Sequence, residues 1–160
     1  MIIRKAKLED IDEMLRIYRL AKEYMDKSGN PTQWKPGHPG REILEADIAN
    51  GTSYVCEENG QLHAAFAFII GEDPTYQVIE EGAWSDASTY GTIHRLASDG
   101  QVKGIFTTCL SFCRNICPHL RADTHHDNLT MQHLLEKNGF KRCGIIHIAD
   151  GSPRIAYELV

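Results

Sequence analysis

The sequence predicts an α+β fold in which a mixed, mostly antiparallel central sheet is flanked by about four helices. Strand-like and helix-like segments alternate along all 160 residues without an internal repeat or a linker. Asn59-Gly60 joins two apolar runs, which is a strong hairpin signal. From Thr92 onward, a strand, a glycine-bearing loop, a helix, a second strand and a second helix follow one another. The length suits one domain, residues 1–160, with a two-layer core.

The first half of the chain alternates a strand, two helices and a hairpin. The first helix has apolar residues at helical spacing and acidic residues in its first turn, where the helix dipole favours them. A loop rich in Gly, Pro and Asn separates the helices. The predicted elements are a strand over Ile2–Lys7, a helix over Leu8–Met25, the loop Lys27–Gly40, a helix over Arg41–Asn50, and strands over Ser53–Glu57 and Gln61–Gly71.

The second half begins with an irregular segment, residues 72–91, and then returns to regular periodicity. Asp99-Gly100 ends a β-branched strand, and Asp127-Asn128 is a good N-cap pair for the last helix. Asn138-Gly139 ends that helix, because both residues tolerate the left-handed conformation. The predicted elements are strands over Thr92–Ser98, His119–Asp123, Lys141–Ile148 and Arg154–Leu159, and helices opening near Gly104 and Asn128.

Gly104 lies at the mouth of the helix that follows the Thr92–Ser98 strand. A glycine at a helix N-terminus lets the free backbone N–H groups approach a phosphate closely, and Lys103 adds a positive charge beside it. This arrangement predicts a phosphate-bearing ligand. A simple loop glycine is the alternative interpretation of Gly104 taken alone.

Three matches make this sequence resemble the Gcn5-related N-acetyltransferase (GNAT) family. Residues 101–106 (Gln-Val-Lys-Gly-Ile-Phe) resemble the family's acetyl-CoA pyrophosphate loop, Gln/Arg-x-x-Gly-x-Gly/Ala, after a strand. Asn128 stands where the family has an asparagine that opens the next helix, and Asn138-Gly139-Phe140 ends that helix as the family usually does. The opening, residues 2–11, is similar to the family's first strand and first helix. Together these matches cover most of the chain and imply an acyl-CoA N-acyltransferase-like fold.

Two positions depart from the family pattern. Phe106 replaces the last Gly/Ala of the pyrophosphate loop, so its ring must point into the core or the backbone there is less open. Leu135 stands where many members carry a tyrosine that protonates the departing thiolate, and leucine has no proton to donate. The resemblance therefore supports the fold and acetyl-CoA binding better than it supports one catalytic mechanism.

The resemblance also implies where acetyl-CoA, the expected co-substrate, would bind. Its acyl carbonyl would meet a backbone N–H of the strand near Leu96 and Ala97. Asn128 would help to hold the pantetheine arm. The pyrophosphate would lie at the helix entry formed by Lys103, Gly104, Ile105, Phe106 and Thr107. No metal is expected.

His94 is the candidate general base. It lies two residues before Leu96, hence on the same face of a regular strand, and imidazole side chains titrate near neutral pH. A structural histidine is the alternative. Arg95 is expected to face the other side, where it could pair with an acid. His125 and His126, between the second strand and its helix, are weaker candidates for the missing proton donor, with simple loop residues as the alternative.

Aromatic residues occur in both long irregular segments. Trp34 lies in the loop between the first two helices, and Tyr76 and Trp84 lie within residues 72–91. Exposed aromatic side chains are unfavourable, so these residues predict a shared apolar surface, either a hydrophobic plug or a pocket. The family resemblance favours a pocket, with these three residues lining the mouth through which the acceptor enters.

Charge is distributed unevenly along the chain. Residues 1–94 hold 9 Lys/Arg against 16 Asp/Glu, whereas residues 95–142 hold 7 against 4, within an overall net charge of −5. The basic segment coincides with the proposed phosphate loop and suits an anionic co-substrate. The acidic first half favours a cationic or amine-bearing acceptor and argues against nucleic acid. Solvated helix faces without a role are the alternative for that half.

The composition indicates a cytoplasmic protein without a membrane partner. No apolar run approaches the roughly 18 residues of a membrane span, and the chain opens without signal-peptide architecture. Among five cysteines, Cys109, Cys113 and Cys117 recur every four residues on one helix face. Small apolar filler against the sheet is favoured over a soft-metal site, and free thiols indicate a reducing compartment.

The predicted function is direct transfer of an acetyl group from acetyl-CoA to a primary amine of a small molecule, peptide or protein. A catalytically degenerate relative that binds acyl-CoA as a sensor or interaction module is the alternative, and Phe106 and Leu135 favour it. A different nucleotide or phosphate binder on a similar strand–loop–helix unit is a third hypothesis. The family resemblance also suggests a homodimer built through the final strands.

Overall fold

The computed structural model describes residues 1–160, whose seven strands form one sheet. Two short 3₁₀ turns, Leu8–Asp10 and Pro74–Tyr76, supplement the regular elements. The strands are β1 (Ile2–Lys5), β2 (Ser53–Glu58), β3 (Gln61–Ile70), β4 (Gly91–Ser98), β5 (Leu120–Thr124), β6 (Lys141–His147) and β7 (Pro153–Leu159). The helices are α1 (Ile11–Lys27), α2 (Arg41–Ala49), α3 (Ile105–Ile116) and α4 (Leu129–Lys137).

The sheet has the spatial order β1-β2-β3-β4-β5-β7-β6. Every neighbouring pair is antiparallel except β4 and β5, which run parallel. Those two strands pair only at Gly91 with Leu120 and at Thr92 with Arg121. Beyond Thr92 they separate, and a small space opens between them. The predicted α+β fold with four helices and a mostly antiparallel sheet is confirmed.

A bulge interrupts the middle of β4. The β3–β4 register shifts between Ala65 and Ala67, and Arg95 adopts a positive φ of 53°. An extra residue in one strand breaks the alternation of side chains between the two faces. The expectation that His94 and Leu96 share one strand face rested on regular alternation, and the bulge between them removes that basis.

Helices cover both faces of the sheet. One buried cluster packs α3 and α4 against residues such as Phe66 and Tyr157, and a second packs α1 and α2 against residues such as Val55 and Ala65. The predicted filler cysteines Cys109, Cys113 and Cys117 are buried against the sheet, as expected of small apolar side chains. All five cysteines are free.

The segment between β3 and β4 runs along the outer edge of β6. Glu80 exchanges two backbone hydrogen bonds with Ile145, at 2.9 and 2.8 Å. Gly144 permits this approach, because a Cβ at that position would lie 2.5 Å from the carbonyl oxygen of Glu80. This pairing covers part of the edge that a homodimer through the final strands would use, and the homodimer stays a prediction.

The element boundaries follow local hydrogen bonds. The first strand ends at Lys5 rather than Lys7, because the Asp10 carboxylate accepts the Lys7 N–H at 2.7 Å and begins a turn. The first helix continues beyond Met25 to Lys27. No helix combines the length and the hydropathy that crossing a membrane requires.

Candidate active site

Three adjacent spaces open along β4, and we call them the groove, the throat and the polar cavity. The groove, about 550 Å³, is lined by the end of α1, the loop after β4, and the helices α3 and α4. The throat, about 60 Å³, lies where β4 and β5 separate. The polar cavity, about 350 Å³, lies beyond the throat. Groove and throat share Leu96, Phe106 and Asn128, whereas throat and polar cavity share Gln33 and Asp123, so the three spaces adjoin in this order.

The entry of α3 offers unpaired backbone N–H groups to the groove. Gly104 has a left-handed φ of 77°, and the N–H groups of residues 102–107 have no acceptor within the chain. Asp99 holds the start of this loop, since its carboxylate accepts the Gln101 N–H at 3.0 Å and the His63 Nδ1–H at 2.9 Å. Free N–H groups at the positive end of a helix dipole suit a phosphate group.

The predicted phosphate-loop residues divide into two groups. Gly104, Ile105, Phe106 and Thr107 line the groove, whereas Lys103 is exposed and does not line it. The Phe106 ring is buried in the core, so the larger side chain does not project over the loop. Lys137, at the end of α4, does line the groove. Sequence reasoning missed it, because only the folded chain brings α4 beside the loop.

Asn128 and Leu96 border the boundary between groove and throat. The Asn128 Oδ1 accepts the Met131 N–H at 3.0 Å and caps α4. Its Nδ2 donates to Gln33 Oε1 at 2.9 Å, which ties α4 to the loop between α1 and α2. Ala97 also lines the groove, and the buried Leu135 adds an apolar wall to the throat.

His94 lines the polar cavity and is oriented by Asp73. The His94 Nε2 lies 2.8 Å from Asp73 Oδ2. Burial would raise the pKa of Asp73, but hydrogen bonds from His94 and Thr75 outweigh it and lower that pKa to about 2. The ionised carboxylate therefore accepts a hydrogen bond from Nε2–H. In this tautomer Nδ1 carries the lone pair, and it has no partner within the chain.

Arg95 pairs with Asp47 of α2, the kind of partner that the sequence predicted. The residue nonetheless borders both the throat and the polar cavity. The Arg95 carbonyl accepts a hydrogen bond from the Tyr18 hydroxyl at 2.9 Å. These contacts hold the bulge in β4 from two helices.

Asp123, at the end of β5, borders the throat and the polar cavity. Burial raises its pKa, although the Tyr76 hydroxyl donates to Oδ1 at 2.6 Å and opposes the shift. Sequence reasoning missed Asp123, because it read the residue only as the end of a strand. A carboxylate at the point where two parallel strands separate was the available signal.

The three aromatic residues predicted at the mouth occupy two different places. Trp34 lines the polar cavity while packing edge-on against Tyr18 in the core. Tyr76 and Trp84 do not line the cavity; they form a cluster with Tyr90 beside it. Tyr76 is 1% exposed. The mouth prediction therefore needs correction for Tyr76 and Trp84, whose rings act as a hydrophobic plug.

The weaker proton-donor candidates lie away from the groove and the throat. His125 is buried, accepts the Asp127 N–H on Nδ1 at 3.0 Å and faces Thr32 Oγ1 through Nε2 at 3.3 Å. His126 is mostly exposed. Neither lines the groove or the throat, because the turn after β5 carries both away from them. Their ligand atoms and those of Asp127 are close enough together for a cation, but Nδ1 of His125 already accepts a hydrogen bond.

Together the spaces can hold a long, partly apolar ligand with a phosphate at one end and a small polar molecule at the other. The narrow throat would bring the ends together beside the His94–Asp73 pair.

Comparison with solved structures gives close matches over the whole chain. An acetyltransferase of the GNAT family from Streptococcus agalactiae matches with a TM-score of 0.88 and 35% identity, over 99% of this chain and 94% of that one. A GNAT-family acetyltransferase from Listeria monocytogenes matches at 0.67 and 18%, over 99% and 94%. A ribosomal-protein-alanine N-acetyltransferase from Brucella melitensis matches at 0.63 and 17%, over 100% and 99%. The last two show the fold alone. No family model and no curated protein sequence matches the chain.

Proposed function

The chain belongs to the GNAT family of acetyltransferases, and we propose that it transfers the acetyl group of acetyl-CoA directly to a primary amine of a small molecule or peptide. The succession of groove, throat and polar cavity supports this proposal best. The amide-rich entry of α3 fits a pyrophosphate, and the mainly apolar groove fits a pantetheine arm. The polar cavity has the size of a small-molecule site.

The reaction requires an unprotonated amine, a polarised carbonyl and a leaving thiolate. We assign His94 Nδ1 as the base, with Asp73 fixing the tautomer. The amine nitrogen attacks the thioester carbon, and a backbone N–H of Leu96–Ala97 stabilises the developing oxyanion. The C–N bond forms in this attack and the amine proton passes to His94; the C–S bond then breaks, and CoA leaves as the thiolate.

Acyl-CoA binding without turnover is the second candidate, and Leu135 favours it. This side chain borders the throat without an ionisable group. The thiolate would then leave without a proton from this position. The cytoplasm stays the proposed location, and the free thiols suit its reducing conditions.

An assay of thioester loss across a panel of primary amines separates the two candidates. Loss should be followed by thioester absorbance, because the partly exposed Cys143 would react with thiol reagents. Amine-dependent loss, with an N-acetylated product seen by mass spectrometry, supports the enzyme. CoA binding by calorimetry without any amine-dependent loss supports the sensor and contradicts the enzyme.

A further inference from the structure

Arg154 of β7 is a buried cation that lines the polar cavity without an acidic partner. Its residue is 6% exposed, and no carboxylate lies within 4.0 Å of its guanidinium. Only two of its five N–H donors reach protein acceptors, the carbonyl oxygens of Pro153 at 2.9 Å and Gln33 at 3.2 Å. Its other donors are free for a ligand.

A buried charge without a partner is unfavourable, and most buried guanidinium groups are paired. Burial lowers the pKa of Arg154, whereas Asp123 and Asp150 raise it from beyond ion-pairing distance. The other arginine of the cavity differs, because Arg95 is neutralised by Asp47. Arg154 thus presents the cavity with a positive charge that the protein itself does not pair.

The same cavity also carries acidic side chains from other elements. Asp123 of β5 and Asp73, the partner of His94, both line it. Aliphatic walls from Ile69, Ile93 and Ile148 complete the lining. A lining of this kind matches a molecule that has an ammonium group, an anionic group and a short carbon skeleton between them.

We propose that the acceptor is an amino carboxylate, with its amine at His94 and Asp123 and its carboxylate on the Arg154 guanidinium. This inference rests on the proposed function and specifies its substrate class. Arginine binds carboxylates through a planar fork of two N–H groups, which lysine lacks. A plain alkylamine would leave the guanidinium unpaired, so the cavity should discriminate against it.

The test compares amino acids with the amines that lack only the carboxylate: leucine with 3-methylbutylamine, and phenylalanine with 2-phenylethylamine. With saturating acetyl-CoA, the wild type should favour each amino acid in kcat/KM by about tenfold or more. Arg154→Gln retains a donor for the Gln33 carbonyl and should abolish that preference, chiefly by lowering kcat/KM for the amino acids. Arg142→Gln, on the exposed edge of β6, is the matched control and should leave the preference intact.

Equal kcat/KM values within each pair would overturn the inference and leave the proposed function standing. If Arg154→Gln lowers kcat/KM equally for the amino acid and for the matching amine, the inference is also overturned, because Arg154 would then only hold the loop that contains Gln33. Calorimetry with the CoA-loaded protein separates the two proposals. Carboxylate-dependent binding that Arg154→Gln removes, without any turnover, would support the inference while the proposed function fails. If no member of either pair binds or reacts, the inference is overturned.

Discussion

Gly104 allows the predicted phosphate site to be tested with two nearly isosteric variants. A Cβ built at this position meets no heavy atom within 4 Å, so a side chain causes no steric overlap. The left-handed φ of 77° remains a cost for any residue other than glycine, about 1–2 kcal/mol. Asn and Asp adopt this conformation most readily among the other residues, so both variants should bear a similar cost. Gly104→Asp and Gly104→Asn then differ mainly by one negative charge.

That charge would stand beside the bound pyrophosphate. Two unit charges about 4 Å apart repel by about 1 kcal/mol in water and about 4 kcal/mol near a protein surface. Since each 1.4 kcal/mol corresponds to about tenfold in Kd, the Asp variant should bind CoA at least about fivefold more weakly than the Asn variant, and several-hundredfold at the upper limit. The difference should shrink as salt is added, because exposed charges are screened.

Calorimetric titration of CoA into both variants measures this difference, with thermal unfolding as the check that both are folded. Lys103→Gln is a useful companion, because Lys103 does not line the groove and should affect affinity less than Lys137→Gln. If the Asp and Asn variants bind CoA equally at low salt, the pyrophosphate does not lie on the α3 entry and the assignment of the loop is wrong.

Three further predictions concern the polar cavity. His94→Ala should lower kcat by about 10²–10⁴ and remove the acidic limb of the pH–rate profile while CoA affinity is retained; wild-type turnover with an unchanged profile would return His94 to a structural role. Trp34 is 8% exposed, so Trp34→Ala should lower the free energy of unfolding by about 3–5 kcal/mol and Tm by about 6–20 °C. Trp34→Phe, which keeps an aromatic ring, should stay folded and raise the acceptor KM, and unchanged acceptor kinetics would place the mouth elsewhere. The folded-state pKa of Asp73 is lowered to about 2, so its ionisation should add about 2 kcal/mol to the free energy of unfolding above about pH 4, and this contribution should be lost as the pH falls toward 2. In denaturation experiments, Asp73→Asn should therefore be less stable than the wild type at pH 7, by a margin that narrows at pH 3. An equal loss of stability at both pH values would show that the pairing with His94 is not electrostatic.

Local sequence signals predicted the fold well. The Asn59-Gly60 turn, the Gly104 helix entry and the Asn128 cap each depend on a few neighbouring residues, and each stands where expected. Such features follow from backbone preferences, which the sequence displays directly.

The polar cavity was harder to predict, because its groups come from distant parts of the chain. Asp73 follows β3, Asp123 lies near the end of β5 and Arg154 near the start of β7, and none stands in a recognisable motif. His94 was predicted because a histidine within a strand is conspicuous, but its partner Asp73 could not be predicted from the sequence. The bulge at Arg95 could not be predicted either, since no glycine or proline marks it and its contacts, Tyr18 and Asp47, are distant in the sequence.

Segmental net charge predicted a cationic or amine-bearing acceptor, and the residues that line the cavity show why that signal is too coarse to define the acceptor further. The acidic first half contributes Asp73 to the cavity, whereas most of its acids lie elsewhere on the surface. Arg154 belongs to the closing segment, whose net charge is negative, yet it supplies the unpaired positive charge. What an acceptor meets is decided by which few residues line the cavity. A cation-selective site and a site for an amino carboxylate would have the same segmental charge in the sequence, and only the unpaired guanidinium of Arg154 distinguishes them.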